Sequence, residues 1–217
     1  MRGFGGLIGA LLLVLGVAAC GDEEVVDGDL TGEWLRASSV DSTRATFRAD
    51  GTYEIVQTFN GDPFTPEVGT WALDGDHLVR ESGEGALGQR NTDTFFVDGD
   101  RLVIGGVFRS TRSDGAAPRG EWEAIRGLEQ VRDGGAWYRS SWSTKRLSLS
   151  EGGNGTIQSV TERDSPATGE SEAPVTDNGV VRWSTASGVH TITGDLEGGF
   201  SVAGGHLVDF SNAYTRQ

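Results

Sequence analysis

Three histidines, His77, His190 and His206, are the chain's only imidazoles, and a hydrolytic site would need one of them beside a nucleophile and a carboxylate. Each falls in an apparent strand with no nucleophile motif beside it, and no Gly-x-Ser-x-Gly occurs. His77 and His190 have Asp76 and Asp195 as possible neighbours, yet all three read as surface residues of strands, so no catalytic residue is assigned. The carboxylate pairs Asp74-Gly75-Asp76 and Asp98-Gly99-Asp100 have the chemistry of a calcium ligand, but each lies where a hairpin independently requires a turn. His-Glu-x-x-His, a cysteine pair and EF-hand spacing are all missing, so no metal site and no cofactor are expected. Gly152, Gly153 and Gly155 lack the Lys-Ser or Lys-Thr of a phosphate loop, and the Asn154-Gly155-Thr156 sequon is read as a turn. Among the six tryptophans, Trp34, Trp122 and Trp137 each follow a glycine at a strand start and read as packing plugs. Trp142 and Trp183 have no counterpart in the first half and are the candidate ligand-binding residues.

Cys20 is the only cysteine, which leaves no thiol for a disulfide framework. It ends a distinctive segment. Arg2 is the sole charge among residues 1–19, and Phe4 to Val17 are apolar, too short a run before the acidic Asp22-Glu23-Glu24 to be read as a membrane span. Val17-Ala18-Ala19-Cys20 resembles the lipobox of bacterial lipoproteins. The resemblance implies that residues 1–19 are a signal peptide cut before Cys20, which then carries lipid and anchors the chain to a bacterial membrane. Gly21, in place of the aspartate that often retains lipoproteins in the inner membrane of enteric bacteria, points to the outer membrane of the envelope.

Removing residues 1–19 takes away one of the 18 basic residues and none of the 32 acidic ones, so the net charge moves from −14 to −15. Such a surface repels nucleic acid and anionic headgroups and serves solubility.

The elements that must position any site are strands. Short alternating runs are separated by Gly, Asp and Asn clusters, and the 3.6-residue spacing of a helix is absent. Ala45–Phe59 is the clearest hairpin, turning at Asp50-Gly51, and Asp74-Gly75 and Asp98-Gly99 repeat the device. The second half carries a degraded copy. Gly32-Glu33-Trp34 can be laid on Gly135-Ala136-Trp137, Gly51-Thr52 on Gly155-Thr156 and Asp74-Gly75 on Asn178-Gly179, although Gly120-Glu121-Trp122 matches the start equally well. Both halves end on an aromatic followed by Thr and Arg: Phe108, Thr111 and Arg112, then Tyr214, Thr215 and Arg216. The polar stretch 110–120 reads as the connection.

The organisation expected is therefore a signal peptide (1–19), a lipidated tether (20–29) and two β domains, 30–117 and 118–217. A row of hairpins avoids bare edges by closing, so the fold class is all-β, with two small antiparallel up-and-down barrels in tandem. One larger barrel built from both copies is the alternative.

The motifs at Gly32–Trp34, Phe47–Tyr53, Gly69–Leu78 and Val97–Leu102 resemble bacterial lipocalin-like domains, well in the first copy and in outline in the second, where Val175 stands opposite Trp71. The resemblance implies a barrel whose interior or mouth takes a small hydrophobic ligand. The expectation is a non-catalytic envelope lipoprotein binding a small apolar ligand or an envelope protein. The alternative is an interaction protein with solid barrel cores.

Overall fold

The computed structural model describes residues 29–83, 88–113, 118–131 and 135–217. The apolar leader, Cys20 and residues 20–28 of the tether lie outside them. Among the described residues all regular structure is strand, apart from a short 3-10 turn at Phe210–Asn212. In chain order the strands are β1 (Gly32–Ala37), β2 (Asp41–Phe47), β3 (Thr52–Phe59), β4 (Asp62–Pro63), β5 (Glu67–Asp74), β6 (His77–Ser82), β7 (Gln89–Asp98), β8 (Arg101–Ile104) and β9 (Val107–Ser113). They continue with β10 (Gly120–Val131), β11 (Trp137–Leu149), β12 (Asn154–Glu162), β13 (Val175–Ala186), β14 (Val189–Gly194), β15 (Gly198–Ala203), β16 (His206–Asp209) and β17 (Tyr214–Arg216).

All pairings are antiparallel, and they close into two rings. β1, β2, β3, β5, β6, β7 and β8 follow one another, with β4 as a spur on β3, and β17 joins β8 back to β1. β9 to β16 form the second ring, closed by the β9–β16 ladder. Among the described residues, closure leaves no edge strand in either ring apart from the two-residue spur β4. The hydrogen bonding therefore divides the chain differently from the expected boundary at 117/118. Val107–Ser113 belongs with the second ring and Tyr214–Arg216 with the first. The physical reason is packing: Phe108 is buried among Trp122, Leu147 and Phe200, whereas Tyr214 is buried among Trp34, Phe47 and Leu102. The aromatic-Thr-Arg segment of each half completes the other half's ring.

Both rings are plugged at one end by the same device. The Trp34 indole donates to Leu30 O (2.8 Å) and the Trp122 indole to Pro118 O (2.9 Å). At the next hairpin, Trp71 N donates to Gly51 O and its indole to Arg48 O, while Trp183 N donates to Gly153 O and its indole to Ser150 O. Gly51 and Gly153 sit at φ +80° and +77°, the left-handed conformation such turns require. At Gly153 a Cβ would come within 2.6 Å of Trp183 O.

These contacts fix the repeat. Trp34 corresponds to Trp122 rather than Trp137, Gly51 to Gly153 rather than Gly155, and Trp71 to Trp183 rather than to Val175. Gly179 is not the counterpart of Gly75, because it lies inside β13; the turn equivalent to Asp74–His77 is Ala186–Val189. Replacing Trp34 with Phe should keep most of the apolar burial but orphan Leu30 O, at a cost of about 1–2 kcal/mol in urea unfolding. Trp71→Phe should cost less, since its acceptor is exposed. Equal losses would show that the bond to Leu30 is not what holds the plug.

The rings meet along a small apolar seam of Phe96, Val103, Val107 and Val208, flanked by Phe210 and Ala213. The far half of β10 also pairs with the start of β7, Arg126 opposite Asp93 through Gln130 opposite Gln89. Thr94 Oγ1 accepts from Ile125 N (2.8 Å) across this join.

Candidate functional site

Within each strand of the first ring, alternate residues point inward, and their character changes along the barrel. From the plugged end outward, β1 presents Trp34 then Arg36, β2 Phe47, Ala45 then Thr43, β3 Tyr53, Ile55 then Gln57, β5 Trp71, Gly69 then Glu67, β6 Leu78 then Arg80, and β7 Phe95, Asp93, Asn91 then Gln89. The apolar members form the core. The polar members surround a cavity of about 560 Å³ at the open end, with Arg126 and Leu128 of β10 and Tyr214 of β17 completing the wall.

The polar groups are wired together. The Arg80 guanidinium donates to Asp93 Oδ2 (3.3 Å) and lies 3.6 Å from Glu67 Oε1; the Tyr53 hydroxyl donates to the same Glu67 oxygen (2.6 Å). Arg126 approaches Asp93 from β10 at 3.8 Å. Arg36 donates to Thr43 Oγ1 (3.4 Å) and rests on the Tyr214 ring, 5.1 Å from its centroid. Burial raises the Asp93 carboxyl above its ordinary range, outweighing the opposing pull of Arg80 and Arg126. Burial, then the bond to Glu67, raises the Tyr53 phenol. Arg80 Nε is buried and has no hydrogen-bond partner among the described residues.

In the second ring the register-equivalent positions are apolar or small. Ala124 stands for Arg36, Gly179 for Glu67, Ile192 for Arg80 and Phe200 for Asp93. Its open end holds a smaller cavity of about 350 Å³, walled by Phe108, Ala124, Leu196 and Phe200 together with the charged Arg126, Lys145, Glu197 and Asp209. A third concavity lies on the outer wall of this ring, along the cross-strand row Glu121, Ser148, Thr156 and Val180.

Trp183, one of the two residues expected to bind ligand, sits at the plugged end with its indole on Ser150 O and Asn154 O. Trp142 is half-buried and covers Gly127, where a Cβ would meet its ring at 2.4 Å. Neither lines either mouth. Trp137 lies outside the second core, with the Arg90 guanidinium 4.6 Å above its ring. His190 and His206 are buried (7% exposed each), not surface residues: His190 shares a hydrogen bond with Thr185, and the His206 ring packs 5.3 Å from Phe96. His77 is half-buried, 3.4 Å from Asp76. Among the described residues no three His, Cys, Asp or Glu side chains gather as a metal site.

Arg36, Glu67, Arg80 and Asp93 were missed as a site. Their signal was present: an inward-facing ladder that turns polar at the same level in several strands.

Comparison with protein-family models, curated proteins and solved structures finds no match to the chain. The described chain is an all-strand antiparallel β-barrel fold, compatible with a lipocalin-like fold.

Proposed function

We propose that this chain is an exported, lipid-anchored envelope lipoprotein that binds a small polar ligand, without catalysis, in the mouth of its first barrel. The observation that carries the binding reading is a mouth of about 560 Å³ walled by Arg36, Arg80 and Arg126 together with Gln57, Gln89 and Asn91, a volume within the range of small-molecule sites. The anchor rests on Val17-Ala18-Ala19-Cys20, residues outside those described, and placement in the outer membrane on Gly21. The apolar ligand implied by the lipocalin-like resemblance suits the second mouth better than the first, because a polar wall favours a ligand that returns hydrogen bonds.

Mass spectrometry tests both parts. Under denaturing conditions, the chain expressed with its leader should begin at acylated Cys20. In a native spectrum, residues 21–217 should carry a discrete adduct that leaves on denaturation and is lost in Arg80→Met. A bare chain in the native spectrum would favour the alternative, an interaction protein with filled barrels. An unacylated Cys20 would remove the anchor.

A further inference from the structure

Each strand of the second ring has a neighbour on both sides, but β13 outruns one of them. β12 pairs with it from Val175 to Arg182, whereas β14 pairs with it only from Val181 onward. Asp195 extends that ladder by one residue: its N–H donates to Val180 O (3.2 Å) and its carboxylate accepts from Val180 N (2.7 Å). Trp183 N donates to Gly153 O, on the β12 side, so alternation turns the N–H and C=O of Val180, Asn178 and Thr176 the other way. Those of Val180 are served by Asp195. The four backbone groups of Thr176 and Asn178 have no partner among the described residues, and residues 175–178 are all exposed.

The neighbouring strand supplies the contrast. β11 overhangs β12 at residues 137–141, and there the chain provides its own cover: Asp164 N donates to Arg139 O (2.8 Å) and the Asp164 carboxylate accepts from Arg139 N (2.8 Å). Nothing comparable covers residues 176–178 among the described residues.

A bare edge is a template for another strand, and charge decides which. Asp177 lies between the two free residues and joins no ion pair among the described residues; its neighbour on β12 is Ser159, and Lys145 stands one strand further along the same row. Residues 164–181 hold Asp164, Glu170, Glu172 and Asp177 and no basic residue. A second copy is a poor occupant. The antiparallel register that joins all four free groups sets the two Asp177 carboxylates opposite one another, between chains of net charge −14, and Pro174 has no N–H to extend the ladder.

We infer that residues 176–178 of β13 are a docking edge for an extended basic segment of another protein. The segment adds antiparallel, exchanges four backbone hydrogen bonds with Thr176 and Asn178, and sets a Lys or Arg opposite Asp177. Its outward side chains meet the concavity of about 620 Å³ that begins at Asn178 and Gly179, where Glu121 and Asp195 contribute negative charge and Arg146 is held by Glu123.

The acetylated and amidated peptide KTVTKTVTK, titrated into nitrogen-15-labelled residues 21–217, tests this. In the bare chain the Thr176 and Asn178 amides should exchange freely with solvent; with peptide they should shift and gain protection. The twin carrying Glu at every Lys should bind at least about tenfold more weakly, since an attractive cross-strand pair becomes a repulsive one in an acidic field. Thr176→Pro removes a donor from the open side while sparing the ladder to β12 and should abolish binding. Should that variant not fold, the peptide N-methylated at the two threonines beside its central lysine makes the same test on the unaltered chain and should fail to bind. Asp177→Lys should reverse the preference between the twins. Amides already protected in the bare chain, or no shift at Thr176 and Asn178 at millimolar peptide, would overturn the docking edge. Equal binding of the twins would overturn the basic partner, and a dimer dispersed by Thr176→Pro would give the edge to a second copy instead.

Discussion

Deleting residues 213–217 is expected to open the first barrel while leaving the second folded. β17 is only three residues long, yet it is the sole bridge from β8 to β1 among the described pairings. Its loss removes Tyr214, 8% exposed, from the first core. The Arg216 guanidinium, 4.5 Å above the Trp34 ring and bonded to Asp29 O, goes with it, as do the bonds from Arg216 N to Asp100 O and from Gln217 N to Glu33 O. Truncating one buried aromatic costs about 3–5 kcal/mol, a large part of the roughly 5–15 kcal/mol that holds a domain together, and here two strand edges are bared as well. Hydrogen exchange should show β1 and β8 losing protection and β11 to β14 keeping it. A segment of residues 29–106 should fold only when 213–217 are supplied. Unchanged protection of β1 in the truncated chain would mean that the first barrel does not depend on its borrowed strand.

That exchange of closing strands marks the limit of what local pattern conveys. The strands themselves were legible, because alternation and Asp-Gly turns are set by neighbours: Gly51, Gly75 and Gly99 all take the positive φ those turns predict. Even the closing motifs were visible, as Phe108 with Thr111-Arg112 and Tyr214 with Thr215-Arg216. What a sequence period cannot say is which distant ring a three-residue strand completes, since that is decided by whether Tyr214 fits better beside Trp34 and Leu102 or beside Trp122 and Leu207. The repeat was misaligned for a related reason. Trp137 resembles Trp34 locally, but it is the Trp122 indole that bonds to the carbonyl four residues before it, as the Trp34 indole does to Leu30. The candidate site was hidden differently. Arg36, Glu67, Arg80 and Asp93 are unremarkable one at a time, in a chain with 32 acidic residues. They become a site only when registers bring them to one level inside a closed wall.

Their mutual dependence gives the second large effect. Asp93 and Arg80 have side chains only 8% and 13% exposed, and removing one member of a buried pair strands the other's charge. Asp93→Ala should therefore destabilise the protein by about 3–5 kcal/mol. Replacing both members at once, Arg80→Met with Asp93→Leu, should recover most of that loss, because the register-equivalent Ile192 and Phe200 already fill the same positions in the second barrel. pH separates the role of the charge from that of the shape. Burial raises the folded-state pKa of Asp93 above the value it has in the unfolded chain, so between those two values the folded state holds the extra proton. The stability that this group contributes is present at and below the ordinary carboxylate range and is lost as pH rises through the folded value. Asp29, Asp50 and Asp164 are shifted the other way by hydrogen bonds, chiefly from Thr31, Thr52 and the Arg139 backbone, so their contributions are lost on acidification and partly mask the Asp93 effect in the whole protein. The comparison that isolates it is the unfolding free energy of the unaltered chain minus that of Asp93→Asn, followed from neutral to acid pH: this difference should grow in favour of the unaltered chain as pH falls toward the ordinary carboxylate range. A difference that instead shrinks on acidification would place the folded pKa of Asp93 below its unfolded value, with Arg80 and Arg126 dominating burial.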